Sequence, residues 1–278
     1  MVIRRAVQPA QVTVLEGGTR RTVPDRLAAE EPMEIRAHGP GQDPVSVAVT
    51  MRTPGHDFAL AVGFLASEGL LAPAGGLAGV AYCTSGAVEQ QYNIVTVTTR
   101  ARFDGPERER SFVASASCGL CGKAALDDVV LDAPPFEPGP LVDAAVITAL
   151  PTQLRDAQMV FEQTGALHAA ARCRVDGSVL IAREDVGRHN AIDKVVGECI
   201  LDPTLAVVDA PILAVSGRVS FEVMQKAAAA RIPIVVAVSA PTSLAVDVAR
   251  ATGQTLVGFV RDGRATIYAG PERISGTA

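Results

Sequence analysis

The chain has no tryptophan and no lysine- or arginine-rich block, and its 25 basic residues are outnumbered by 30 acidic ones. Non-specific nucleic-acid binding works by neutralising phosphates, so this composition argues against it. A local basic pocket for one phosphorylated ligand stays open. No apolar run reaches the ~20 residues that a bilayer span needs, so no membrane association is expected. The opening Met1-Val2-Ile3-Arg4-Arg5-Ala6-Val7 lacks the apolar stretch and small-residue cleavage site of a signal peptide, and a cytoplasmic location is expected. Cysteine is sparse: five residues, an odd number at irregular spacing, which argues against a secreted disulfide framework. The chain carries no internal repeat and no low-complexity segment.

What is present is enough apolar material for a real core: 48% of 278 residues and a mean hydropathy of +0.26. That length suits one large domain or two ordinary ones. The first half reads as mixed and β-rich, with short apolar stretches at 12–15, 33–37 and 45–51 bounded by glycine, proline and aspartate. Phe58, Val62 and Leu65 recur at helical spacing behind Pro54 and predict a helix over 58–71. The β-branched run 93–99 predicts a strand. Ala133-Pro134-Pro135-Phe136-Glu137-Pro138-Gly139-Pro140 precludes regular structure. It places a domain boundary there, between a β-rich region 1–140 and an α/β domain 141–278. A helix is expected from about 142 to 158. Beyond it, strands at 178–182, 212–215, 234–238, 256–260 and 265–268 alternate with helices at 190–201, 220–230 and 243–251. This alternation predicts a mostly parallel sheet with helices on both faces, closed by a hairpin at Asp262-Gly263.

The most informative local feature is Ser115-Ala116-Ser117-Cys118-Gly119-Leu120-Cys121-Gly122-Lys123. Two thiols three positions apart share a loop or a first helical turn, and the glycines keep the backbone uncrowded. The thiolate is the reactive form, and its pKa falls near cations such as Lys123. A nucleophile is favoured. A zinc half-site and a thioredoxin-type redox pair are the alternatives, but Cys83, Cys173 and Cys199 are isolated and no His-x3–5-His exists to complete a zinc site. Cys199 reads as core, Cys173 as core or partly exposed, and Cys83 as structural.

Three polar stretches close predicted strands and open predicted helices: 184–194, 216–218 and 239–243. In an open α/β sheet this is where ligands bind. Arg188, His189 and Lys194 could meet a phosphate, with Asp185 and Asp193 orienting the cations; the bland alternative is a solvated helix start capped by Asn190 or Asp185. Gly187, Gly217 and Arg218 could present amides and charge to an anion. His168, among small apolar residues, reads as a satisfied buried histidine. Phe259-Val260-Arg261-Asp262-Gly263-Arg264 combines an aromatic face with two guanidinium forks, suited to base and phosphate, or is a plain surface hairpin.

These stretches, with Thr164 to Ala170, Gln225-Lys226-Ala227-Ala228 and Ser239 to Ala245, resemble the formate dehydrogenase accessory sulfurtransferase family, FdhD. The resemblance covers most of the chain and is strongest from Cys118 onward. It implies an α/β fold with a cytidine-deaminase-like domain plus a smaller β-rich N-terminal domain. It implies a sulfurtransferase that accepts sulfur from a cysteine desulfurase as a persulfide. The sulfur then passes to the bis(molybdopterin guanine dinucleotide) molybdenum cofactor that formate dehydrogenase needs. It maps the persulfide carrier to Cys118, with Cys121 assisting, and cofactor binding to Phe259, Val260, Arg261, Asp262, Gly263 and Arg264, with Gly187, Arg188, His189, Gly217 and Arg218 beside them. The catalytic subunit of formate dehydrogenase is the implied recipient and a homodimer the implied assembly. No protein-ligated metal is expected, because the His-x-Glu and Pro-Cys-x-x-Cys of zinc deaminases are incomplete. Alternatives are a non-catalytic cofactor chaperone and a dithiol oxidoreductase.

Overall fold

The computed structural model describes residues 5–72, 75–84, 92–105, 112–113, 134–206 and 210–276. Cys118 and Cys121 lie outside them.

An antiparallel ribbon opens the chain, β1 (Val7–Glu16) against β2 (Thr19–Ala28), turned at two glycines of positive φ. A five-stranded sheet follows: β3 (Glu31–His38), β4 (Val45–Arg52), β5 (Leu77–Tyr82), β6 (Ile94–Thr99) and β7 (Phe112–Val113), in the order β5-β6-β3-β4-β7. Strict alternation turns Met33, Ile35 and Ala37 inward and leaves Glu34 and Arg36 outside, as a period of two requires. Helix α1 (Asp57–Ser67) lays Leu60, Ala61 and Leu65 on that inner face.

The second sheet has six strands in the order β10-β9-β11-β12-β13-β14. They are β9 (His168–Cys173), β10 (Val179–Asp185), β11 (Ile212–Val215), β12 (Ile234–Ala237), β13 (Thr255–Arg261) and β14 (Arg264–Ala269). Only β11, β12 and β13 run parallel to their neighbours; β9 is antiparallel to both β10 and β11, and β14 to β13. The sheet is therefore mixed rather than mostly parallel. The cause is two tight connections, 174–178 and 262–263, too short for the crossover that a parallel pair needs. At the second, Asp262 and Gly263 both hold positive φ, 51° and 71°, the backbone of the expected hairpin turn.

Both faces of this sheet are covered. Helix α2 (Ala144–Asp156), capped by Asp143 accepting from the Ala145 N–H, packs Ile147, Leu150 and Leu154 on Ile212, Ala214, Ile234 and Val236. A short helix, α3 (Met159–Thr164), follows it. On the other face α4 (Arg188–Leu201), α6 (Phe221–Ala229) and α7 (Ser243–Thr252) cover Leu213, Val215, Val235 and Ala237. One turn, α5 (Pro203–Ala206), trails α4. Near the C-terminus a two-residue strand, β15 (Ile274–Ser275), pairs with β8 (Val142–Asp143). No helix among the described residues is long and apolar enough to cross a membrane.

The two sheets meet through α1 and α4. At their crossing, a Cβ on Gly63 would stand 1.8 Å from the Asp193 carbonyl oxygen, and one on Gly197 1.8 Å from that of Ala59. Only glycine allows backbones this close. Buried polar bonds fix each of the two helices to a further element. Lys226 binds Asp193 at 2.8 and 2.9 Å, and Arg52, fully buried, makes a two-pronged bond to Asp57 at 3.1 and 2.9 Å.

Candidate functional site

Strands β10, β11, β12 and β13 all end on one edge of the six-stranded sheet, and β9, running the other way, starts there. The predicted stretches 184–194, 216–218 and 239–243 thus share that edge with Phe259. Backbone bonds stitch them together. Ser216 N–H donates to the Ala169 carbonyl at 3.0 Å, and Val219 N–H to that of Ala240 at 3.1 Å. Thr242 N–H reaches Val219 O at 2.9 Å, and Phe259 N–H reaches Ser239 O at 3.1 Å. Strand ends fixed to one another in this way make a rigid rim.

The start of α4 is set from below. Asp185, fully buried, accepts from the Gly187 N–H at 2.9 Å, from Asn190 Nδ2 at 2.9 Å and from the Thr53 N–H at 3.1 Å. Lys194 Nζ lies 2.7 Å from the second carboxylate oxygen and also donates to the Thr53 carbonyl at 2.8 Å. Asn190 Nδ2 donates further to the Met51 carbonyl at 2.8 Å. The Asp185–Lys194 pair carries no net charge and shares the backbone of the residues just after β4, so the cost of burying two ions is met by hydrogen bonds on both.

This corrects one expectation. Lys194 does not face a ligand; Asp185 orients that cation as expected, while Asp193 holds Lys226. Lys194 is consumed by Asp185 and Thr53, and Asp193 by Lys226. The polar groups left on the rim are Arg188, whose Nε is buried without a hydrogen-bond partner among the described residues, exposed Arg218, and His189. His189 Nε2 lies 2.9 Å from Glu222 and 3.2 Å from the Ser220 hydroxyl. Burial pushes the Glu222 carboxyl up, but His189, Lys226 and Arg188 outweigh it and hold the group below its ordinary range.

Around Phe259 the ladder is broken. Gly258 pairs with Thr266 and Arg261 with Arg264, so two residues of β13 oppose one of β14. Phe259 takes a φ of 51°, an unfavourable backbone for a side chain of this size. The bulge turns its ring outward, 38% exposed, with the Arg261 guanidinium 6.0 Å from the ring centre. Phe259, Arg261, Arg264 and Thr266 line an open hollow of about 240 Å³. Of the six residues expected to form this stretch of the site, three line the hollow; the Val260 side chain is fully buried in the core under α2. Asp262 and Gly263 form the exposed turn.

A second open hollow, of about 360 Å³, lies at the β9 end of the rim, with Arg155, Phe161, His168 and Ser216 in its wall. His168 lines this hollow rather than being a satisfied core histidine. Burial, with Arg188, His189 and Arg218 nearby, holds its imidazole below the ordinary histidine range, and Asp185 only partly offsets them. The sequence reading also passed over Lys226, Glu222 and Thr53. Gln225-Lys226 sits on a helix with no local sign of a buried charge, and nothing in the sequence near Thr53 announces its partners in α4.

Cys173 and Cys199 are buried. Burial pushes the Cys173 thiol up to about 12, which leaves it inert. Among the described residues no three His, Cys, Asp or Glu side chains gather to hold a metal ion.

The FdhD/NarQ family profile matches residues 28–275. The chain belongs to the FdhD/NarQ family. It is 46% identical over 282 residues to the sulfur carrier protein FdhD of Streptomyces coelicolor, covering 98% of this chain and 96% of that one. It is 45% identical over 266 residues to the sulfur carrier protein FdhD of Mycobacterium tuberculosis, covering 91% and 93%. Among solved structures it resembles one from Desulfotalea psychrophila, provisionally described as a formate dehydrogenase accessory protein. The TM-score is 0.73 at 21% identity, over 97% of this chain and all of that one. That likeness concerns the fold, which this FdhD/NarQ chain shares almost end to end.

Proposed function

We propose that the protein is a sulfur carrier serving formate dehydrogenase. It takes sulfur from a cysteine desulfurase as a persulfide on Cys118 and hands it to the molybdenum of a bis(molybdopterin guanine dinucleotide) cofactor bound as substrate on the rim. The relatives' names support the sulfur traffic, and the resemblance supplies the cofactor. One observation carries the link between cysteine pair and rim. Strand β7 pairs in parallel with β4, Val113 opposite Val49, and so runs in the direction of Thr53, which is bonded to Asp185 beneath the α4 start. Thr53 is four residues beyond Val49, or about 13 Å along a strand. Cys118 is five residues beyond Val113, a reach of up to about 17 Å.

The chemistry asked of the chain is exchange at sulfur. The Cys118 thiolate attacks the outer sulfur of the donor persulfide. The donor S–S bond breaks, its thiolate leaves, and no net oxidation occurs. Cys121 then attacks Cys118 Sγ, expelling the outer sulfur as sulfide toward the metal and leaving a Cys118–Cys121 disulfide. A cellular dithiol must reduce that disulfide before the next round. On the rim, the Phe259 ring offers a face to guanine, and Arg261, Arg264, Arg188 and Arg218 offer charge to phosphate. A polyanionic ligand is thereby held by a chain whose net charge is −5. We read the 141–278 domain as deaminase-like in architecture without deaminase chemistry. The mixed order β10-β9-β11-β12-β13 supports that reading.

The test is to incubate reduced protein with a cysteine desulfurase and L-cysteine and to map the adduct by peptide mass spectrometry. One added sulfur, about 32 Da, is expected on the Cys118 peptide. Cys118→Ala should lose the adduct and formate dehydrogenase activation while keeping its fold. Full activation by Cys118→Ala would refute the relay. Full activation by Cys121→Ala as well would leave a cofactor chaperone.

A further inference from the structure

The hollow at the β9 end of the rim is unaccounted for by Phe259 and the two arginines beside it. His168 lines it half-buried, and among the described residues its ring has no hydrogen-bond partner. Ser216 stands in the same wall; its Oγ accepts from the Ala169 N–H at 2.9 Å, which leaves the hydroxyl proton free to point outward. Gly217 separates His168 from Arg188. A methyl placed on Gly217 would meet His168 Nδ1 at 3.4 Å and Arg188 Cβ at 3.8 Å, so the absent side chain leaves an opening between the two. Arg155 stacks on Phe161, 4.7 Å from the ring centre, and closes the hollow on its far side. The imidazole and the hydroxyl open onto this hollow, and the Arg188 and Arg218 guanidinium charges lie close enough to act on the imidazole.

We propose that this opening takes a phosphate group, held by His168, Ser216 and Arg188 with Arg218 alongside, and that His168 is charged in the bound state. The inference rests on the reading of the rim as a guanine dinucleotide site and adds a residue and a proton to it. Without ligand, the groups facing His168 are Arg188 and His189 from α4, Arg218 from the β11–α6 loop, and Asp185 from the end of β10. Arg155 of α2 shares the hollow, and Glu222 of α6 faces His189 rather than His168. Three of the four groups that bear on His168 disfavour a proton there. A phosphate between the ring and Arg188 reverses that balance, because an adjacent anion favours the charged imidazole. Binding therefore draws in up to about one proton at pH values between the free and bound pKa of His168. The sign follows. Below the free pKa the ring is charged in both states and affinity is flat. As pH rises from there to the bound pKa, affinity falls by up to about tenfold per unit.

Two probes test this on the whole chain, GDP and inorganic pyrophosphate. Titration calorimetry in buffers of different ionisation enthalpy reads the protons taken up. NMR of the imidazole carbons, assigned by replacing each of the four histidines in turn, names the group. The expected result is proton uptake with GDP, a raised His168 pKa in the complex, and, in His168→Asn, loss of the uptake with weaker GDP binding. GDP binding with no change at His168 would overturn the proposal and leave the nucleotide reading standing. Pyrophosphate raising the His168 pKa while GDP fails to bind would keep the phosphate station and refute the guanine dinucleotide. No response to either probe would refute both. Because the NMR arm uses the unaltered protein, a misfolded variant does not decide the matter.

Discussion

Replacing Gly197 with alanine tests whether the α1–α4 crossing holds the two sheets together. The new methyl would stand 1.8 Å from the Ala59 carbonyl oxygen, against roughly 3.3 Å for an ordinary carbon–oxygen contact. The obstacle is backbone, so no rotamer change relieves it, and α1 must retreat by about 1.5 Å. A gap of 0.5–1 Å already forfeits a quarter to a half of the dispersion attraction across it. Overpacking commonly costs about 1–3 kcal/mol, and a rigid backbone contact belongs at the top of that range. Alanine returns about 1 kcal/mol of helix propensity. The expected net loss is about 2 kcal/mol, near thirtyfold in the folded-to-unfolded ratio, or about 4–8 °C in the thermal midpoint. Urea unfolding followed by circular dichroism measures it, and Gly63→Ala should behave alike. The pair should be less than additive, because the first retreat makes room for the second methyl. A Gly197→Ala protein within about 0.5 kcal/mol of the parent, the range of harmless surface changes, would refute the close crossing.

Phe259→Ala should weaken GDP binding by about 10- to 100-fold, the worth of one base-stacking face, and calorimetry reads it; unchanged affinity would remove the ring from the site. Arg52→Met strands the buried Asp57 carboxylate and should cost about 3–5 kcal/mol in urea unfolding, with Asp57→Asn recovering part of the loss in the double variant. Alkylation of the folded protein at pH 8 should spare Cys173, whose pKa near 12 leaves about one thiolate in ten thousand; labelling of Cys173 as fast as of an unfolded control would contradict its burial. His56 and His168 are both held below the ordinary histidine range, first by burial. The unfolded chain takes up their protons first, so stability should fall as pH drops below about 6.5 and level off beneath their folded pKa values. Replacing both with asparagine should flatten that slope, and a slope left intact would assign it to other groups.

Where the fold was legible in the sequence, the signal was local and periodic. The alternation of Met33 to Ala37 and the apolar runs at 212–215 and 234–238 recur as strands within a residue or two, and the helical spacing of Phe58, Val62 and Leu65 as a helix that ends at Ser67, four residues short of the expected end. Strand β9 was missed because His168 and Arg172 interrupt it, and β2 because it is largely polar and mostly exposed. The antiparallel setting of β9 against β10 and β11 was missed with it, since direction depends on partners rather than on composition, whereas the β13–β14 hairpin was legible in its turn. At the rim, Arg188, Arg218 and Phe259 announced themselves by charge or ring exposure after a strand. Lys194 misled for the same reason: local sequence shows its charge but not Asp185 or the Thr53 carbonyl, which is 141 positions away. Val260 misled because a bulge one residue earlier turned Phe259 out and left its neighbour inward. The cysteine pair itself lies outside the described residues, and its role rests on the family.

The Asp185–Lys194 pair is satisfied by backbone on the far side of the proline-rich stretch 134–140, at Thr53. The rim is thus a joint possession of both halves of the chain. Its charges are set within 141–278, yet the bonds that seat them come from the segment just after β4. A gene fragment encoding residues 141–278 alone would carry every arginine of the rim and still lack its footing. Such a site cannot be moved to another protein as a module, nor cut at the obvious proline boundary and kept. Recombination at that point would separate a carboxylate and an ammonium from the amide and carbonyl that make their burial tolerable.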